Sequence, residues 1–106
     1  MGLFDFVHKP DINEGVKTCA ATPDAMLLDV RNPDEYVLGH IPGSVNLPLS
    51  EIRTAKDRIS DKDTPLFVYC LSGARSSRAV TELQSMGYTN LHNLGGISKW
   101  RGEIEK

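Results

Sequence analysis

Leu66-Phe67-Val68-Tyr69-Cys70-Leu71-Ser72-Gly73-Ala74-Arg75-Ser76 decides the fold of this chain. Its first four residues are bulky and apolar without a polar break, the texture of a strand buried on both faces. The run ends in a cysteine and passes into a tight polar loop containing one glycine. A helical pattern follows, with Ala79, Leu83 and Met86 on one stripe and Gly87 as its stop. A cysteine at this junction stands over unpaired N–H groups at a helix N-terminus, a place that favours an anion. Cys70 is therefore expected to be a thiolate at neutral pH, and the thiolate is the nucleophilic form of the side chain.

The same alternation extends outward in both directions. Asp11 to Ala21 reads as a helix capped by Asp11, with Ile12, Val16 and Cys19 at i, i+4 and i+7. Met26 to Val30, broken only by Asp29, reads as a second buried strand. Asn32-Pro33-Asp34 opens a short helix that ends near Gly39, with proline where the first turn tolerates it. Ile41-Pro42-Gly43 is a turn and Ser44 to Leu47 a short strand. Leu49, Ile52, Ala55, Lys56 and Ile59 share one face of a further helix, with Ser50 as its cap. Asn90 to Leu94 makes the last strand and Gly96 to Trp100 a closing helical turn. Strands alternating with helices predict an α/β fold of three α/β/α layers around a small central parallel sheet. In such sheets the ligand site lies beyond the carboxyl ends of the strands, where Cys70 falls.

Size and charge narrow the possibilities. The 106 residues suit one domain, residues 1–106, with a single core. A formal net charge of −2 provides no basic field for nucleic acid or an anionic membrane. No apolar run approaches the ~20 residues of a membrane helix. The N-terminal Met1-Gly2-Leu3-Phe4-Asp5-Phe6 lacks the pattern of a secretory signal or of a myristoylation site, so a cytoplasmic location is expected. Two distant cysteines, Cys19 and Cys70, make neither a disulfide framework nor a C-x-x-C redox pair. With scattered histidines they also do not suggest a zinc site, and no cofactor is expected.

The loop has a diagnostic spacing. Four residues separate Cys70 from Arg75, a C-x4-R pattern. Cysteine phosphatases place five residues there, in a ring that encloses a tetrahedral phosphate; a shorter ring suits one terminal sulfur atom. In this loop the chain resembles the rhodanese-like domain family, sulfurtransferases that carry sulfur as a cysteine persulfide. The resemblance extends to Leu27-Leu28-Asp29-Val30-Arg31 with Glu35-Tyr36, to Gly39-His40-Ile41-Pro42-Gly43-Ser44-Val45-Asn46-Leu47-Pro48, and to Gly87-Tyr88 and Asn93-Leu94-Gly95-Gly96 with Trp100. It covers roughly residues 26 to 102.

The resemblance implies a double displacement. Cys70 takes the outer sulfur of thiosulfate or another persulfide, then yields it to a thiol, to cyanide, or to a sulfur-accepting protein. Leu71, Ser72, Gly73, Ala74, Arg75 and Ser76 would form the substrate-binding loop, with Arg75 holding its shape and attracting an anionic donor. Ser72 and Ser76 either donate hydroxyl bonds to the sulfur or merely cap the helix. Asp29, Glu35 and His40 are read as structural, Cys19 as core, and His8 and His92 as lacking a constellation. Arg78, one turn beyond Arg75, faces either the site mouth or solvent. Two other readings remain: a non-catalytic binding module, and a cysteine-dependent phosphatase or arsenate reductase on the same fold.

Overall fold

The computed structural model describes residues 11–106. Its centre is a parallel sheet of four strands in the order β2-β1-β3-β4. The strands are β1 (Met26–Asp29), β2 (Val45–Asn46), β3 (Leu66–Cys70) and β4 (Leu91–Gly96). Every pairing is parallel, with Leu28 beside Val45 on one side and Val68 on the other. All five residues of β3 are buried, as its unbroken apolar sequence required.

Alternation along β1 and β3 sorts the core into two layers. On one face Leu28, Leu66, Val68 and Cys70 pack against Ile52, Ala55, Ala79 and Leu83. On the other, Leu27, Phe67 and Tyr69 pack against Ile12, Cys19, Ile41 and Leu94. Each fully buried Leu, Ile or Phe of this kind contributes roughly 1.5–3 kcal/mol of transfer free energy, so both faces must be covered. The helices that cover them are α1 (Ile12–Ala21) on the second face, and α3 (Ala55–Arg58) and α4 (Ala74–Ser85) on the first. Among the described residues no helix is long and apolar enough to cross a membrane.

Several expectations hold in detail. Asp11 caps α1, its carboxylate accepting from the Asn13 amide at 3.0 Å. Helix α2 (Pro33–Leu38) starts at a proline and carries a capping box between Asn32 and Glu35. Gly87 leaves α4 with φ of 101°.

Other elements differ. The segment read as one helix from Leu49 is a 3-10 turn, Leu49–Thr54, followed by the single turn of α3. Pro48, not Ser50, stands at its cap, and Lys56 is exposed while Ile52, Ala55 and Ile59 are buried. A proline at that position cannot donate, and the tighter 3-10 winding places Ile52 and Ala55 on one side three residues apart. The strand read over Ser44 to Leu47 is only Val45–Asn46, because Ser44 closes the preceding turn through its amide to Ile41. His8 lies outside the described residues.

Candidate active site

Strand β3 leaves the sheet at Cys70, and the chain turns within three residues to begin α4. That reversal depends on Gly73, whose φ of 111° lies in the left-handed region that only glycine adopts cheaply. The curl points backbone amides back at the cysteine. The Gly73 amide donates to Cys70 Sγ at 3.0 Å, and Ser76 Oγ lies 3.5 Å from the same sulfur. Cys70 is only 1% exposed, so the sulfur sits at the floor of the collar.

Two opposing effects act on this thiol. Burial alone raises its pKa, because the charged form loses water. Against that stand the Ser76 hydroxyl and the amides of Ser76, Gly73 and Ser72, and together they win: the pKa lies below the ordinary thiol value. The N-terminus of the 12-residue α4 adds its dipole in the same sense.

A second tier of contacts holds the collar in place. Ser76 is fully buried, and its hydroxyl lies 2.8 Å from Asn93 Oδ1 and 3.0 Å from the Gly73 carbonyl. Asn93 Oδ1 accepts from the Gly95 amide at 2.9 Å, which turns that oxygen toward Ser76; the one Ser76 hydroxyl proton goes either to it or to the Cys70 thiolate, not to both. Between Val68 and Tyr69 the pairing of β3 with β4 shifts register, so Tyr69 lies beside Gly95 and Cys70 beside Gly96. A side chain at position 96 would collide with the Leu71 carbonyl and Ser72 Cα, so only glycine lets the loop lie there. The Ser98 amide then donates to the Leu71 carbonyl at 3.1 Å. The sequence singled out the pattern Asn-x-Gly-Gly but not this role. A glycine pair inside a strand is the signal, since it marks a bulge or a close backbone approach.

Arg75 lies in the first turn of α4, and its guanidinium grips Glu35 bidentately at 2.6 and 3.0 Å. That ion pair, with bonding to the Asn32 amide, holds the Glu35 carboxyl down at about 2. The loop-holding role expected of Arg75 thus has a geometric basis, whereas much of its charge is already met by a carboxylate. The groups that lower the Cys70 pKa most are a hydroxyl and amides, and the Arg75 charge acts on the thiolate in the same sense. Of the six loop residues, Gly73 and Ser76 contact the sulfur, Ser72 contributes its amide, and Leu71 is 47% exposed at the rim. Ala74 is exposed and begins α4.

Asp29 and Arg31 form a buried pair behind the site. The carboxylate accepts the Arg31 amide at 2.9 Å and its guanidinium at 2.7 to 3.0 Å. Arg31 also reaches the Gly39 carbonyl at 2.7 Å, fastening β1 to the turn after α2. His40 stacks on Tyr36 at 3.8 Å between centroids, with its Nδ1 2.9 Å from the Tyr36 carbonyl. His92 stacks on Phe67. Cys19 belongs to the layer on the far face of the sheet from Cys70, so the sheet itself separates the two thiols. Among the described residues no three or more His, Cys, Asp or Glu side chains converge as metal ligands would.

Comparison with known proteins agrees with this fold. The rhodanese-like domain model matches residues 13–103. YqhL of Bacillus subtilis is 44% identical over 82 residues, spanning 76% of this chain and 64% of that protein. The thiosulfate sulfurtransferase PspE of Escherichia coli is 40% identical over 74 residues, 66% of this chain and 68% of its own length. The chain thus spans about two thirds of each relative. A solved structure described as rhodanese with anions from E. coli superposes with a TM-score of 0.71 at 34% identity, covering 77% of this chain and 98% of the other.

Proposed function

The chain belongs to the rhodanese-like domain family, and from that premise we propose that it is a sulfurtransferase whose Cys70 carries sulfur as a persulfide. The observation that carries this reading is the collar: a buried sulfur whose pKa falls despite burial, because inward-facing amides and the Ser76 hydroxyl outweigh desolvation.

In the first half-reaction the Cys70 thiolate attacks the outer sulfur of thiosulfate. A new S–S bond forms, the donor S–S bond breaks with its electron pair leaving on sulfite, and one proton from solvent makes Cys–S–SH. An S–S bond of about 2.05 Å lifts the carried sulfur from the floor of the collar toward its rim. There the same donors that held the thiolate lie around the terminal sulfur, so little reorganisation separates the two states. In the second half-reaction an acceptor thiolate attacks that outer sulfur and Cys70 departs as the thiolate, ready for another cycle. Cyanide can replace the thiol and leaves as thiocyanate. The lowered pKa makes the thiolate accessible without a dedicated base, and His40, stacked against Tyr36, is given no such role.

The narrow C-x4-R collar favours a single sulfur over a phosphoryl group. Intact-protein mass spectrometry after thiosulfate tests the reading. Addition of one sulfur to Cys70, removable by cyanide, supports it; full thiocyanate formation by Cys70→Ser overturns it.

A further inference from the structure

Ser76 has one hydroxyl proton and more acceptors than it can serve. Within reach of its oxygen lie Asn93 Oδ1 at 2.8 Å, the Gly73 carbonyl at 3.0 Å, and the Gly95 carbonyl and Cys70 Sγ, both at 3.5 Å. Ser76 is fully buried, so these acceptors compete without bulk water. The lengths rank them. Bonds of the O–H···O kind are commonest near about 2.7–2.8 Å, so Asn93 is the best partner while the sulfur is neutral. A charged sulfur reverses that ranking, because a bond to an ionised acceptor is roughly twice as strong as a neutral one.

The sheet puts Asn93 in this position. Val68 pairs with Asn93 and Tyr69 with Gly95, so Leu94 is the extra residue at the register shift. Paired positions share a face, and Asn93 stands on the face of Val68 and Cys70, where α4 brings Ser76.

We propose that Asn93 is a positioning residue for sulfur transfer, accepting the Ser76 hydroxyl bond while Cys70 is loaded and releasing it to the Cys70 thiolate when the sulfur leaves. The assignment rests on the persulfide reading of Cys70 and deepens it by naming what resets the collar. In the empty enzyme the charge lies on Sγ, and the hydroxyl turns to it. Once an outer sulfur is bonded, Sγ is no longer an anion, and the hydroxyl swings to Asn93 Oδ1. In the second half-reaction the S–S bond breaks toward Cys70, and the hydroxyl turns back to meet the electron pair. No proton leaves Ser76. Arg75 is the charged side chain that the thiolate feels, and its pairing with Glu35 does not depend on this rotation.

Asn93 thus competes with the thiolate for one donor, which gives its removal a distinctive sign. In Asn93→Leu the pH midpoint of Cys70 alkylation falls by about 0.5 pH unit, whereas a merely loosened loop would lose its amides and raise it. In a Ser76→Ala background the same substitution leaves the midpoint unmoved. At a fixed ratio of thiosulfate to sulfite, above the midpoint, the loading equilibrium of Asn93→Leu falls by about threefold. The wild type supplies a readout that no folding defect can disturb. Its Asn93 side-chain carbonyl carbon resonance should move as Cys70 ionises, return on loading with thiosulfate, and respond much less in Ser76→Ala. A midpoint that rises or stays fixed in Asn93→Leu, a shift that persists without the Ser76 hydroxyl, or a wild-type resonance indifferent to Cys70 overturns the role of Asn93. Wild-type protein that takes up no sulfur from thiosulfate signals failure of the persulfide reading instead.

Discussion

Cys19 and Cys70 are both buried, at 9% and 1% exposure, yet their surroundings push their acidities in opposite directions. Cys19 sits on the apolar face of α1, where burial is the one influence and raises its pKa. Cys70 is the more buried of the two, and still its pKa is lowered, because a hydroxyl and three amides converge on it. Burial by itself raises a thiol's pKa; the curled loop reverses that shift, which is the setting a reactive thiolate needs.

The largest effect expected is on catalysis. Cys70→Ser should lower sulfur transfer by at least about 10³-fold, as removal of a nucleophile generally does. Cys19→Ala should leave kcat within about twofold and cost about 1 kcal/mol of stability from lost packing. Steady-state thiocyanate formation and urea unfolding separate the two outcomes. Equal losses of activity in both variants would break the comparison.

Next comes the support of the collar. Gly96→Ala places a methyl group against the Leu71 carbonyl and Ser72 Cα, both backbone atoms that cannot swing aside. The loop must shift, so kcat/KM should fall by about 10²-fold, with about 1–3 kcal/mol of destabilisation from overpacking. The rate of Cys70 alkylation at pH 7 should fall with it, while that of Cys19 should not.

Ser76→Ala should act more gently. It removes the hydroxyl that lies 3.5 Å from the sulfur, leaving the amides. A hydrogen bond to a charged group contributes about 1.5–3 kcal/mol, so alkylation at pH 7 should slow by about tenfold and the Cys70 pKa should move upward. An unchanged pKa would place the stabilisation in the amides and helix dipole alone.

The smallest effect concerns the loop's tether. Glu35 has its pKa depressed to about 2, so its contribution to stability is present above the ordinary carboxylate value and is lost as pH falls toward 2. The pair is partly exposed, so Glu35→Gln should cost only about 1 kcal/mol at pH 7. The gap between variant and wild type, followed by chemical unfolding, should close progressively below about pH 5. A gap that stays constant down to pH 2 would show that the pair contributes no pH-dependent stability.

Most of the architecture was legible because single-residue patterns report burial directly. The unbroken Leu66–Tyr69 run and the Met26–Val30 run became the two central strands, the second ending one residue earlier at Asp29, and proline and glycine marked the ends of α2 and α4. The loop after Cys70 was legible because its chemistry is local, set by a strand end, a glycine and a helix start. Long-range partners were not. Glu35 lies forty residues before Arg75, and Asn93 seventeen after Ser76, so neither pairing could be seen without the sheet that brings them together. Local winding was likewise beyond the pattern. A 3-10 turn and an α-helix both place Ile52 and Ala55 on one side, and the choice between them at Leu49–Thr54 depended on Pro48 and on the short path to α3.

The most direct measurement is the pH dependence of alkylation at the two thiols, resolved by peptide mass spectrometry on the folded wild-type protein. Cys70 should ionise below the free-thiol value of about 8.5, and Cys19 above it. Coincident midpoints, or a Cys70 midpoint at or above the free value, would contradict the claim that the loop, against burial, keeps this sulfur charged.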